Sequence, residues 1–362
     1  MTAPQCQRLR ELLIRSPYIV SSIKEVTFDI DIGPLDDCIG ALDAMATILR
    51  FLKLEVLSLG AFSQNDKRDL PPVLCAAIAF SLSQPSISSL SLRCITLARI
   101  DFRNLFMHSQ TLRHLSLSNV SCRPSDGEQS EGDLLSQPGI EEVVVELVDA
   151  DILEWFGQAH CCGVNLTCLR SLTIVFDMDE ARHGLINDML RKAGPCLEDL
   201  SLRCVSGMSH LTCLSSCVDS REAERPLKDG ICLNLACNPN LHSLRLNLAP
   251  NARYVASRCP PKWVLSTLEQ FHSPVAIKEL VLDIGIVDSM SFKRADYSRW
   301  RHMATALSRS SFPSLQCVRI LATDYIVNLP LVEDLAIQAI KGLAVPWKIE
   351  ITNNCESKVL GG

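Results

Sequence analysis

The chain has 362 residues, 47% of them hydrophobic and only 5% aromatic, with a formal net charge of −6. That length and apolar share allow a large core or an extended array, while an acidic balance without clustered Lys/Arg argues against a nucleic-acid footprint. Seventeen Cys, an odd number, include several beside Leu in apolar runs, and the start "MTAPQCQRLRELL" lacks the apolar centre of a secretory leader. They read as free thiols in a reducing compartment, cytoplasmic or nuclear.

Residues 1–22 read as an N-terminal capping helix. From there an apolar triplet, L-x-x-L-x-L, recurs along the chain. It occurs as Ile23/Val26/Phe28, Leu54/Leu57/Leu59, Ile87/Leu90/Leu92, Leu112/Leu115/Leu117 and Ile140/Val143/Val145. It continues as Leu169/Leu172/Ile174, Leu197/Leu200/Leu202, Leu241/Leu244/Leu246, Ile277/Leu280/Leu282 and Leu315/Val318/Ile320, with a weaker last copy at Pro346/Ile349/Ile351. Within each copy the period is two, the signature of a short strand with one buried face. The string Leu-Ser-Leu-Arg-Cys, at 90–94 and again at 200–204, is two such copies.

Between copies the period becomes helical. Asp36 to Lys53 places Ile39, Leu42, Met45, Ala46 and Leu49 on one face. Leu70 to Leu92 carries no charge, but its Pro and Ser content reads as a buried helix followed by a strand rather than a membrane span. Ser121 to Gly139 reads as an exposed loop, and residues 206–230 hold a charged insertion around Cys217 to Gly230. "DILEWFGQAH", "YSRWRHMATALS" and "PLVEDLAIQAIKGL" read as further helices, and 353–362 as a disordered tail. The fold class expected is α/β: an irregular leucine-rich-repeat solenoid of about ten to eleven units over 23–352, with parallel concave strands and helices on the convex side. The position three places after the last strand residue holds Phe62, Ile95, Val120, Val205 or Ala249 rather than the usual Asn or Cys, hence the irregularity.

Residues alternating with the buried positions should line the concave surface. The central column runs Thr27, Ser58, Ser91, Ser116, Val144, Thr173, Ser201, Arg245, Val281, Arg319. The candidate binding face comprises Arg93, His114, Glu142, Glu146 and Arg203 in its first part. Arg245, Glu279, Asp283 and Arg319 follow, with Arg245 and Arg319 as anchors because a guanidinium makes bidentate contacts. The alternative for this face is a solvated mixture of charges.

Little points to chemistry. His210, Cys213, Cys217, Cys232 and Cys237 are too irregularly spaced for a zinc site, and adjacent His160, Cys161 and Cys162 do not make a nucleophile pair. No phosphate loop, nucleophile elbow, zincin helix or dinucleotide fingerprint occurs, so no enzyme, cofactor or metal is expected. Ser125 and Ser130 each precede an acid by three residues, a spacing that suits an acid-directed kinase as well as an ordinary polar loop.

The stretch "RLRELLIRSPYIVSSIKEVTFDI" (Arg8 to Ile30) resembles the entry to the repeat region of the large fungal families of F-box-like leucine-rich-repeat proteins. There, a helix ending in Ser-Pro and a segment of the type I-x-x-x-I/V-K/R-E-L/V-T follow the F-box. The resemblance implies a substrate receptor that presents protein partners on its repeats to a cullin-type ubiquitin ligase. Only seven residues precede Arg8, too few for an F-box, so docking on the Skp1-type linker is not expected of this chain. The function expected is protein binding on the concave face, with no nucleic acid and no membrane. The alternatives are a stand-alone scaffold or remnant without a ligase role and, from another class, an enzyme on an irregular α/β scaffold.

Overall fold

A computed structural model describes residues 3–30, 35–61, 68–107, 109–123, 139–157, 164–176, 180–204, 233–247, 262–271, 274–284, 297–308, 311–322, 348–353 and 357–360. The array expected as one body falls into two compact units, 1–170 and 171–362.

The first unit opens with helix α1 (Ala3–Arg15) and a 3₁₀ turn (Pro17–Ser22). Strand β1 (Glu25–Ile30) follows, then α2 (Leu35–Phe51), β2 (Val56–Ala61) and β3 (Arg68–Asp69). Next come α3 (Pro72–Leu82), β4 (Ser89–Arg93), β5 (Ile95–Ala98) and α4 (Arg99–Met107). The unit continues with β6 (His114–Ser118), β7 (Ser121–Arg123), β8 (Glu142–Glu146) and α5 (Ala150–Gly157). Strands β1, β2, β4, β6 and β8 lie side by side, all parallel, with helices α2, α3 and α4 in the crossovers that join β1 to β2, β2 to β4 and β4 to β6. Each apolar triplet coincides with one of these strands. Its second and third members, such as Leu57/Leu59 and Leu115/Leu117, are buried in the apolar face.

The helices are built to cover that face. In α2, Ala41, Ala44, Met45, Ile48 and Leu49 are buried at helical spacing. Helix α3 starts on Pro72, which needs no N–H partner there; it buries Leu74, Ala77, Ile78 and Leu82, while Ser81 donates to Leu49 O at 3.1 Å. The uncharged stretch is thus an 11-residue helix followed by β4. Among the described residues no helix is long and apolar enough to cross a membrane. Rings from α4 and α5 close one end of the core, with Trp155 edge-on to Phe102 at 4.6 Å and to Phe156 at 5.0 Å.

After three successive strands the chain turns through a left-handed residue at the same place: Cys94 (φ 55°), Asn119 (φ 53°) and Leu147 (φ 51°). After Leu147 the bend leads to α5, whereas at Cys94 and Asn119 it carries the chain into β5 and β7 of a second, smaller parallel sheet, β3-β5-β7. Its rungs are tied by the buried Thr96–Ser121 hydroxyl pair at 2.8 Å and by Arg123 to Asp69 at 2.9 Å. The loop expected over 121–139 therefore begins as a strand; 124–138 lie outside the described residues.

The second unit comprises β9 (Ser171–Phe176), α6 (Glu180–Ala193), β10 (Asp199–Cys204), β11 (Ser243–Asn247) and α7 (Lys262–Glu269). It continues with β12 (Glu279–Ile284), α8 (Tyr297–Leu307), β13 (Cys317–Ala322), β14 (Lys348–Asn353) and β15 (Ser357–Leu360). Strands β9 to β14 pair parallel in chain order. Helix α6 ends at Gly194 (φ 56°), and the buried Asn238 amide donates to the terminal carbonyls of Leu190 (2.9 Å) and Gly194 (2.8 Å). The tail expected to be disordered from 353 instead includes β15, antiparallel to β14. The insertion at 206–230 and the helix at 330–343 lie outside the described residues.

Candidate functional site

Strict register turns each sheet face into columns. In the first unit the first outward column reads Glu25, Val56, Ser89, His114, Glu142, and the central one Thr27, Ser58, Ser91, Ser116, Val144. In the second unit they read Ser171, Asp199, Ser243, Glu279, Cys317, Lys348 and Thr173, Ser201, Arg245, Val281, Arg319, Glu350. A third outward column carries Arg93, Ser118 and Glu146 in the first unit and Arg203, Asn247 and Asp283 in the second. All nine residues singled out from the sequence occupy these columns.

In the first unit neighbouring strands bring His114 Nδ1 to 3.1 Å from Glu142 Oε2, and the Ser118 hydroxyl donates to Glu146 Oε2 at 3.0 Å. Both carboxylates lean on groups without a fixed positive charge. Arg93 lies over Gly60, where an added Cβ would stand 3.1 Å from its Nε; the missing side chain on β2 is what lets the guanidinium lie down.

The second unit is wired differently. Arg245 Nη2 donates to Asp283 Oδ2 at 2.9 Å, and the Asp283 side chain is only 7% exposed. Asp283, expected as an outward contact, is therefore covered by its arginine. Arg319 sits between two acids, its Nη1 2.7 Å from Glu279 Oε1 and its Nε donating to Glu350 Oε2 at 3.0 Å. The Glu279 contact is off-line for a hydrogen bond and acts as an ion pair. Lys348 completes the set at 2.7 Å from Glu350 Oε1. Hydrogen bonds from Lys348 and then Arg319 hold the Glu350 carboxyl below its ordinary range, and the Glu350 hydrogen bond lifts the Arg319 guanidinium further. Arg203 stands exposed at the end of β10.

Sequence reasoning passed over Lys348, Glu350, Cys317 and Ser118. The signal was present in "WKIEI", whose alternation places Lys348 and Glu350 outward, but the triplet around it is the weakest.

Burial, reinforced by Glu350, pushes the Cys317 thiol up, the wrong direction for an activated thiolate. Among the described residues no group of three His, Cys, Asp or Glu could hold a metal ion. Among the described residues Cys6, Cys75, Cys94, Cys168, Cys196, Cys237 and Cys317 are in no disulfide. His160, Cys161, Cys162, His210, Cys213, Cys217, Cys232, Ser125 and Ser130 lie outside the described residues. No protein-family model matches the chain, and no curated protein matches it.

Proposed function

We propose that the chain is a non-enzymatic, protein-binding module of leucine-rich-repeat type, related to the repeat region of F-box-like substrate receptors and working in a reducing compartment. The observation that carries this reading is the strict register. It lays mostly polar and charged side chains, with Val56, Val144 and Val281 among them, in columns over one sheet face, as a repeat array does when it presents a floor to a partner. In the first unit that floor is built of Ser58, Ser91 and Ser116, all half-buried, with Glu142 and Glu146 at the two ends of β8. The paired guanidinium groups of the second unit favour a structural role for Arg245 and Arg319, so the contact is assigned to the first unit's face.

Photo-crosslinking in the native cell tests this. The full chain carries benzoylphenylalanine at Ser91 or Ser116, on the floor, or at Ala76, on an exposed helix surface, and products are identified by mass spectrometry. A protein captured from the floor positions, and lost on Glu142→Lys with Glu146→Lys, supports the reading; co-capture of linker and cullin subunits would extend it to a ligase role. Equal capture from all three positions, or none from the floor, would sink it.

A further inference from the structure

A different surface of the first unit has no place in that reading. Ile14 is 61% exposed, Tyr18 78%, Phe51 50% and Phe80 46%, unusual figures for large apolar side chains. Contacts between helices bring them together. A Cβ on Gly40 would stand 3.3 Å from Gln7 Nε2, and Arg10 Nη1 lies 3.3 Å from Asp43 Oδ2. Both pairs have the same sequence offset, so α1 and α2 run parallel. The stripe Gln7-Arg10-Ile14 then lies along Gly40-Asp43-Thr47, so α1 and α2 end on the same side, with Tyr18 in the 3₁₀ turn that directly follows α1 and Phe51 at the last residue of α2. The Ser81–Leu49 hydrogen bond sets the end of α3, with Phe80, next to the end of α2. The four side chains thus gather where three neighbouring helices end.

Around them stand exposed cations: Arg15 and Arg50 in the last turns of α1 and α2, and Lys53 just beyond. Among the described residues none of the three has an anionic partner. Glu11 lies a turn back from Arg15, and Glu55 is taken up by Lys24 at 3.1 Å.

We propose that these helix ends form a docking surface for a protein segment in which acidic residues flank apolar side chains. Two arguments select that occupant. The exposed apolar area is on the order of 450 Å², taking about 200 Å² for each large side chain. That is well short of the roughly 800 Å² per partner of a stable protein pair, so a second copy is a poor fit and a short segment a good one. The cations without partners ask for carboxylates. An anionic bilayer would want a cluster of about four to eight Lys/Arg, against three here on a chain of net charge −6.

The test uses the full chain and two labelled 12-residue peptides of equal hydrophobicity. One has Glu around Leu and Phe; the other has Lys in place of Glu. Fluorescence anisotropy should show the acidic peptide binding at least about tenfold tighter than the basic one. Phe51→Ala with Phe80→Ala should weaken it at least about tenfold, with the thermal midpoint held because both rings are half in water. Arg15→Glu/Arg50→Glu/Lys53→Glu should invert the preference, a result that misfolding could not produce. Equal binding of both peptides, binding of neither, or indifference to both sets of substitutions overturns the proposal. So does tight sedimentation with phosphatidylserine vesicles without selectivity between the peptides, which would make the surface a membrane contact.

Discussion

Arg319 offers the sharpest perturbation of the second unit. Substitution by Met keeps the aliphatic stem and removes the guanidinium that joins β12, β13 and β14 through Glu279 and Glu350. Both carboxylates are partly exposed, about one-third for Glu279 and one-fifth for Glu350. Two charges at this range interact by about 1 kcal/mol in water and about 4 kcal/mol at the effective dielectric near a protein surface. Side-chain ordering and screening take back most of the upper figure. About 1 kcal/mol per contact, hence about 2 kcal/mol in all, is the expected loss.

The pH dependence follows from Glu350. Its folded pKa is lowered, so its contribution is fully present above the unfolded value and is lost as pH falls through the folded one. Urea unfolding of Arg319→Met against the parent should therefore show the deficit near neutral pH and a smaller one as the carboxylates protonate. In about 1 M NaCl it should also shrink, since these charges are within reach of solvent ions. A deficit unchanged by both acid and salt would mean that Arg319 works by packing its stem, and the ion-pair reasoning would be refuted.

Other expectations follow from single positions. Arg245→Met takes the guanidinium away from the buried Asp283 carboxylate and should cost about 2 kcal/mol, more than Asp283→Asn, which leaves a half-exposed arginine free to reach water; the reverse order in urea unfolding would contradict the burial argument. Leu200→Ala empties a fully buried rung and should cost about 3 kcal/mol in the same assay, and a loss below about 1 kcal/mol would mean the rung can collapse. Leu147, at φ 51°, should accept Gly with little change, whereas Leu147→Ile should cost about 1 kcal/mol or more; equal effects would deny the turn its backbone cause. The Cys75 thiol, pushed up to about 12 chiefly by burial and then by Asp101, should alkylate far more slowly near neutral pH than exposed Cys168, Cys196 and Cys237, as read by timed iodoacetamide labelling and mass spectrometry.

What the sequence made legible and what it hid divide along physical lines. Strand placement was legible because a strand with one buried face leaves a period-two mark, and all eleven triplets mark strands outside the small β3-β5-β7 sheet: β1, β2, β4, β6, β8 and β9 to β14. Helices at 36–53, 151–160 and 297–308 left their own period and stand at Leu35–Phe51, Ala150–Gly157 and Tyr297–Leu307. The small sheet was hidden because β3, β5 and β7 span only two to four residues, too short for a period, and because the bends into β5 and β7 use Cys94 and Asn119 rather than Gly at positive φ. The division into two units was hidden because the triplets continue across residue 170 without a break in rhythm: the copies starting at Ile140, Leu169 and Leu197 follow one another at 29 and 28 residues.

The site shows the same limit more sharply. Alternation told which side chains leave the sheet, and every one of the nine does, but which neighbour each then meets depends on register between strands roughly thirty residues apart in sequence. In "LSLRC", the Leu pairs 90/92 and 200/202 are buried as the period requires, and Arg93 and Arg203 are both exposed. Yet Arg93 lies over Gly60, two strands' worth of sequence upstream, and no such glycine is registered opposite Arg203, whose neighbours are Val175 and Asn247. Identical strings thus carry the same buried half and different surface halves. The repeat determines the frame, and the partner-specific part of the face is written in residues that the repeat leaves free.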